Sequence, residues 1–87
     1  MTLRNRFLDA MIDGNIGNGL VVTRQELIQH FNNDNELTTG CFLSNSEINT
    51  GAPHSPTYDH FTMRITVGTY RIHPQALLDR MRERGIL

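Results

Sequence analysis

The sequence predicts a small α+β domain with the element order α-β-α-α-β-β-α and a small antiparallel sheet. Apolar residues recur at helical spacing near the N-terminus, a helix-capping motif begins at residue 23, and an alternation of period two begins at residue 60. The chain has 87 residues, so we expect residues 1–87 to form a single domain. A domain of this size buries about 60 to 65 percent of its unfolded surface, which favours an exposed binding surface over a deep catalytic pocket.

The first helix is predicted over residues 3–12, where Leu3, Phe7 and Met11 recur at helical spacing. Thr2 is the expected N-cap, and an Asp-Gly pair follows the last helical residue. After a turn rich in glycine and asparagine, the segment Leu-Val-Val at residues 20–22 is short and β-branched. This composition indicates a brief strand.

The most specific local signal is a capping box, Thr-Arg-Gln-Glu, at residues 23–26. In this motif the hydroxyl oxygen of Thr23 accepts a hydrogen bond from the backbone N–H of Glu26, and the Glu26 carboxylate accepts one from the backbone N–H of Thr23. The second helix therefore begins here. We expect it to end in the asparagine-rich residues 32–35.

A third helix is predicted to begin at Thr38 or Thr39 and to end within residues 49–53, with Leu43 facing inward. The one cysteine of the chain, Cys41, cannot form an intramolecular disulfide. Because it stands between a glycine and a phenylalanine, we expect it to be a small buried residue.

A β-hairpin is predicted between residues 60 and 73, where apolar and polar residues alternate. Two registers fit the alternation. A turn with Gly68 and Thr69 at its centre is favoured, since a turn centred on Val67 and Gly68 would force the valine toward positive φ. In the favoured register Val67 pairs with Tyr70. The buried face of the hairpin then consists of Phe61, Met63, Ile65, Val67, Tyr70 and Ile72.

The last helix is predicted to begin at Pro74, because proline suits the first helical turn, and to end at Gly85. Its basic residues Arg80, Arg82 and Arg84 alternate with acidic ones, so we expect them to form a solvated face.

The apolar residues of these elements predict one hydrophobic core. Ile86 and Leu87 follow the last helix and are expected to fold back onto that core. The predicted core residues are Leu27, Ile28, Phe31, Phe42, Leu43, Ile65, Tyr70, Ile72, Leu77 and Met81.

The element order resembles that of winged helix-turn-helix domains, in which a minor strand completes a small sheet with the hairpin. Three segments carry a narrower resemblance: Val-Thr-Arg-Gln-Glu-Leu-Ile at residues 22–28, Phe-Leu-Ser-Asn-Ser-Glu-Ile-Asn at 42–49 and Gly-Thr-Tyr-Arg at 68–71. They are similar to the small winged-helix-like domains that occur alone or appended to bacterial restriction and HNH-type nucleases. Ser44-Asn45 departs from the serine-aspartate pair that such domains tend to carry.

The resemblance implies DNA binding with residues 38–49 in the major groove. Short polar side chains there suit base edges, and asparagine can bridge the two groups that adenine presents. The predicted contact residues of this segment are Thr38, Thr39, Ser44, Asn45, Ser46 and Asn49. Alternatively, the same residues are the turn and cap residues of a frayed helix.

The exposed face of the predicted hairpin is expected to hold DNA phosphates. Arg64 and His73 lie opposite each other in the favoured register, and Arg71 is diagonal to Arg64. Like charges so placed repel one another, and a bound anion would neutralise this repulsion. The alternative partners within the chain are Asp59, Asp79 and Glu83.

Composition restricts the remaining function classes. The net charge of −1 disfavours a polyanion partner, although all eight basic residues are arginine, whose planar group suits phosphate. The four histidines lack the spacing of a metal site and no catalytic motif is present, so we expect neither an enzyme nor a cofactor. No run approaches the roughly 20 apolar residues of a membrane span. We therefore expect a cytoplasmic protein without a membrane partner.

Two functions follow from these observations. The first is a DNA-binding module, a regulator or the targeting domain of a bacterial or phage assembly, in which residues 38–49 read the groove and the hairpin holds the backbone. No nuclease motif is present, so any nuclease activity would belong to another chain. The alternative is a protein-interaction or homodimerisation module, such as a small phage-type inhibitor, which binds no nucleic acid.

Overall fold

A computed structural model describes residues 1–48 and 56–87 as four helices and a three-stranded antiparallel sheet of strand order β1-β3-β2. The elements are α1 (Leu3–Ile12), β1 (Val21–Thr23), α2 (Arg24–His30), α3 (Glu36–Asn45), β2 (Thr62–Thr66), β3 (Thr69–Ile72) and α4 (Pro74–Glu83). The predicted α+β class, element order and antiparallel sheet are confirmed.

The predicted helix starts depend on local caps, and three of the four are confirmed. The hydroxyl of Thr2 accepts a hydrogen bond from Asn5 at the start of α1, and His73 Nδ1 accepts one from the backbone N–H of Gln75 at the start of α4. The capping box of α2 is complete, with both of its hydrogen bonds formed. These caps satisfy backbone N–H groups that have no partner within the helix.

The Glu26 carboxylate has a second role beyond the capping box. Its Oε2 accepts a hydrogen bond of 2.8 Å from the backbone N–H of Gly17, while Oε1 accepts one of 3.0 Å from that of Thr23. Burial favours the neutral form of this carboxyl, but these hydrogen bonds outweigh burial and hold its pKa below the ordinary value. The ionised Glu26 thus ties the loop before β1 to α2.

The core lies between the helices and one face of the sheet. Its centre is an aromatic cluster, in which the ring of Phe42 lies 5.3 Å from that of Phe7 and 6.2 Å from that of Phe61. The core prediction is wrong for Ile65, which is 56% exposed. Four other predicted core residues are only partly buried: Ile28, Phe42, Leu77 and Met81. The buried hydrophobic residues are Phe7, Leu8, Ala10, Met11, Ile16, Val22, Leu27, Phe31, Leu43, Ile48, Phe61, Tyr70, Ile72 and Ala76.

Helix α3 begins earlier and ends earlier than predicted. Asn35 is its N-cap, because the side-chain oxygen accepts a hydrogen bond from the backbone N–H of Leu37. After Asn45 the chain leaves the helix, and the carbonyl of Ser46 accepts hydrogen bonds from the backbone N–H groups of Phe61 and Thr62. The prediction of one helical segment over residues 38–49 is therefore wrong, because contacts with the start of β2 redirect the chain.

The hairpin is confirmed, but its predicted register is wrong. Thr66 pairs with Thr69 and Arg64 pairs with Tyr70, so the turn is centred on residues 67 and 68 and Ile65 is an extra residue in a bulge. Gly68 has a φ of 72°, whereas no non-glycine residue of the described chain has a positive φ. Glycine thus takes the second central position, where a turn tolerates positive φ, and the valine before it escapes strain.

The shifted register changes the faces of the hairpin. Thr62 is fully buried beside the core, although the alternation predicted an exposed residue there. Val67 is 81% exposed at the turn, although it was predicted to be buried. The outer half of the hairpin therefore extends beyond the core with apolar side chains in solvent.

Two further predictions of burial are wrong. Cys41 is exposed, because its position on α3 faces away from the core. Ile86 and Leu87 are 56% and 64% exposed and do not cover the core, although the backbone N–H of Ile86 donates to the carbonyl of Met81 at the end of α4.

The arginines of α4 do not all form a solvated face. The guanidinium of Arg80 makes two hydrogen bonds, of 2.8 and 3.0 Å, to the carboxylate of Asp9 in α1. Arg84 contacts Asp9 at 3.5 Å and Asp13 at 3.1 Å. Arg82 and Arg84 are exposed, as predicted, whereas the side chain of Arg80 is only 11% exposed. The salt bridges of Arg80 and Arg84 hold the end of α4 against α1.

Candidate nucleic-acid interface

One side of α3 is exposed along its whole length. Its residues follow helical spacing, and the opposite side, with Thr39 and Leu43, is buried. We call this surface the outer face of α3, and it consists of Leu37, Thr38, Cys41, Ser44 and Asn45. None of these five side chains is acidic or basic.

Three of the predicted contact residues of this segment lie on the outer face: Thr38, Ser44 and Asn45. The hydroxyl of Ser44 donates to the carbonyl of Cys41 at 3.1 Å, so its oxygen is left as an acceptor. The side chains of Thr38 and Asn45 make no hydrogen bond with the described residues.

The other predicted contact residues are not brought to this surface. Thr39 is 1% exposed, and its hydroxyl lies within hydrogen-bond distance of the carbonyls of Asn35 and Glu36. Ser46 is buried where the chain leaves α3. Asn49 lies outside the described residues.

Arg24 lies beside the outer face, although no sequence pattern singled it out as a contact residue. Its backbone N–H donates to the carbonyl of Gly68 at the hairpin turn, and its Nε donates to the carbonyl of Gly40, each at 2.8 Å. The side chain is otherwise exposed. This arginine therefore stands between α3 and the hairpin.

Gly40 is the residue that accommodates this arginine. A Cβ atom at Gly40 would lie 2.6 Å from Nη2 of Arg24, closer than side-chain atoms normally approach. Glycine inside a helix costs about 0.5 to 1 kcal/mol relative to alanine. Gly40, a glycine inside a predicted helix, was the one feature of the sequence that could have indicated a group packed closely against α3.

The predicted cluster of Arg64, Arg71 and His73 is not formed. Arg64 is opposite Tyr70 and Arg71 is opposite Met63, so the two arginines point to opposite faces of the sheet. The His73 ring caps α4 through Nδ1. The prediction placed these three residues on one face because it assumed a regular register, whereas the hairpin has a bulge at residue 65.

Arg64 lies on the side of the sheet that faces α3. It is two residues beyond Thr62 in the same strand, and the hydroxyl of Thr62 donates to the carbonyl of Leu43 in α3 at 2.8 Å. Arg71 lies on the opposite, outer side of the sheet, between Val21 and Met63 of the neighbouring strands.

The charges of the domain are unevenly distributed. Arg24, Arg64 and Arg71 make no salt bridge with any residue of the described ranges 1–48 and 56–87. The alternative in which Asp79 or Glu83 neutralises the hairpin is wrong, because these carboxylates contact arginines of α1 and α4. The arginines that do pair with carboxylates are Arg4, Arg6, Arg80, Arg82 and Arg84.

The strongest ion pairs lie away from the hairpin turn, and one of them, Arg6–Asp34, stands at the start of α3, beside its N-cap Asn35. Hydrogen bonds from Arg80, opposed by burial and aided by its positive charge and that of Arg84, hold the pKa of Asp9 below its ordinary value. Hydrogen bonds from Arg6 lower the pKa of Asp34 in the same way. Five of the nine acidic residues pair with these five arginines. Within the described residues the other three arginines make no salt bridge, and neither do Glu36, Glu47 and Asp59.

Apolar side chains are also exposed around this surface. Leu37 on α3 is 80% exposed, and Ile65 and Val67 of the hairpin are exposed as well. Among the described residues, no group of histidine, cysteine and acidic side chains is placed to hold a metal ion, and no helix has the length and apolar character to cross a membrane.

Comparisons with family models, curated proteins and solved structures give no match to this chain.

Proposed function

We propose that this domain is a winged helix-turn-helix module that binds duplex DNA. In this proposal α2 and α3 form the helix-turn-helix, the outer face of α3 enters the major groove, and the hairpin lies along the sugar-phosphate backbone. A base-reading surface needs exposed hydrogen-bonding groups, and the outer face of α3 supplies them without a repelling carboxylate.

The observation that carries the proposal is a set of three arginines that pair with no carboxylate of residues 1–48 and 56–87: Arg24, Arg64 and Arg71. A guanidinium offers a planar fork of donors that matches phosphate oxygens. Arg24 beside Gly40 and Arg64 on the α3 side of the hairpin flank the proposed reading helix. We assign phosphate contacts to these two residues, and a weaker contribution to Arg71, which lies on the other face of the sheet.

The test is a fluorescence-anisotropy titration of labelled duplex DNA with the full chain at low and at high salt. Each phosphate contact releases counterions, so Arg24→Ala should weaken binding to all duplexes alike and reduce the slope of log affinity against log salt by about one unit. Arg82→Ala is the matched control, because it removes one exposed positive charge from α4, where Arg82 pairs with Asp79. Absence of saturable DNA binding at low salt would overturn the proposal.

A second candidate function is association with a protein, which the exposed apolar side chains favour. Large apolar residues in solvent at a protruding hairpin and on the neighbouring helix are typical of interaction sites. Leu37, Ile65 and Val67 would then be covered by a partner, of which a second copy of the chain is the simplest.

Light scattering over a range of protein concentrations tests this second candidate. Self-association through these residues should appear as a mass that rises with concentration, and Leu37→Ser together with Val67→Ser should abolish the rise. Arg24→Ala should leave it unchanged. A constant monomer mass would contradict the homodimer form of this candidate.

A further inference from the structure

The chemistry of the outer face of α3 restricts which base pairs it can read. Guanine is read most often by arginine or lysine, and cytosine by aspartate or glutamate. The outer face has neither kind of residue. Glu36, the one acidic residue of α3, is exposed at the first position of the helix. It is three residues before Thr39 and seven before Leu43, so it projects to a side of the helix other than the outer face.

The same face has the groups that suit adenine and thymine. Asn45 is exposed, and an asparagine amide can donate to N7 and accept from the amino group of adenine. Thr38 and Leu37 are exposed and carry methyl groups that can contact the C5-methyl group of thymine. They lie seven and eight residues before Asn45, two helical turns away on the same side of α3.

Among the arginines of the described residues, Arg24 is the one hydrogen-bonded to α3, and its position assigns it to the flank of the outer face. Its Nε is held by the carbonyl of Gly40, which lies three residues after Leu37 and four before Ser44. The remaining N–H groups of this guanidinium therefore lie beside the face rather than at its centre. A side chain at the border of a groove-binding helix meets the phosphate backbone, whereas the centre of the helix meets the base edges.

We infer that the outer face of α3 selects A·T base pairs in the major groove, with Asn45 on adenine and with Thr38 and Leu37 on thymine methyl groups. This inference rests on the proposed DNA-binding function and adds the class of sequence that the domain prefers.

The experiment begins with selection from a pool of duplexes that have a randomised centre, using the full chain. The enriched duplex is then titrated in three forms: unmodified, with 7-deazaadenine in place of adenine, which removes N7, and with uracil in place of thymine, which removes the C5-methyl group. We expect A·T pairs in the enriched centre. Loss of the complete adenine contact through Asn45→Ala should weaken binding to that duplex about 5- to 150-fold.

The variants assign each effect to a residue. The 7-deazaadenine duplex should bind the wild-type chain more weakly than the unmodified duplex, and Asn45→Ala should remove this difference. Asn32→Ala is the matched control, because Asn32 is an exposed asparagine in the turn before α3 and lies off the outer face. It should behave as wild type. Thermal melting of both variants verifies that they are folded.

Three outcomes would overturn the inference. Enrichment of G·C pairs, saturable binding without sequence preference, or an equal 7-deazaadenine effect in wild type and Asn45→Ala would each refute A·T selection by Asn45 and leave DNA binding intact. Failure to bind any duplex at low salt would instead overturn the proposed function together with the inference.

Discussion

The Nε atom of Arg24 donates a hydrogen bond of 2.8 Å to the carbonyl oxygen of Gly40, which holds an exposed guanidinium against the middle of α3. The backbone N–H of the same arginine donates to Gly68 at the hairpin turn. One residue at the start of α2 thereby connects the two elements that we propose to contact DNA. Its partners lie 16 and 44 positions away in the sequence.

Gly40→Ala should separate stability from binding. The added Cβ would meet the end of a flexible side chain, so Arg24 can move away at little cost, while alanine favours the helix by about 0.5 to 1 kcal/mol. We expect an unchanged or higher melting temperature and weaker DNA binding. Combining it with Arg24→Ala should add no further loss of affinity, because both changes remove the same placed guanidinium. Additive losses in anisotropy titrations would contradict this coupling.

Arg64→Ala and Arg71→Ala should differ although both remove an exposed arginine of the hairpin. Arg64 lies on the α3 side of the sheet and Arg71 on the other side. The salt slope of DNA binding should fall by about one unit for Arg64→Ala and by much less for Arg71→Ala. Equal slopes for the two variants would mean that the face of the hairpin does not determine phosphate contact.

Thr23→Ala should destabilise the domain by about 0.5 to 2 kcal/mol, because it removes the side-chain acceptor of the α2 capping box. Thr23→Ser keeps that acceptor and is the matched control. Urea unfolding gives the free energies, and titration of the folded protein should show unchanged DNA affinity. A Thr23→Ala variant as stable as wild type would show that the cap contributes nothing measurable.

Acid should weaken the attachment of α4 to α1. The hydrogen bonds from Arg80 keep the pKa of Asp9 lower in the folded chain than in the unfolded chain. The resulting stabilisation is present above the unfolded pKa of about 4 and is lost as the pH falls through the folded pKa. Asp9→Asn should therefore be less stable than wild type at neutral pH and should lose less stability on acidification.

Unfolding of the two proteins in urea at neutral and at acidic pH measures this difference. Asp59→Asn is the control, since Asp59 is exposed and makes no salt bridge within the described part of the chain. It should follow the wild-type dependence. Parallel curves for wild type and Asp9→Asn would indicate that this pair does not contribute to the acid sensitivity of the fold.

The order of the elements and most helix starts could be predicted from local patterns in the chain. The capping box acts between Thr23 and Glu26, three positions apart, and α4 was predicted from Pro74 alone, so each signal is complete within a few residues. The alternation after residue 60 likewise showed that a hairpin is present. It could not fix the register, because a bulge at Ile65 reverses the faces without changing the residue pattern.

Which arginines lack a carboxylate partner depends on contacts between elements that are distant in the sequence. Arg80 binds Asp9 across 71 positions of sequence, and Arg24 finds a carbonyl acceptor in another helix. No local pattern encodes these partners, since they meet only after the helices have packed. Helical spacing around α3 agrees with the exposure of Thr38 and Asn45, whereas Thr39 and Ser46, predicted on the same segment, are buried. The flanking arginines of the candidate DNA surface depended on packing and strand register, which join residues that are distant along the chain.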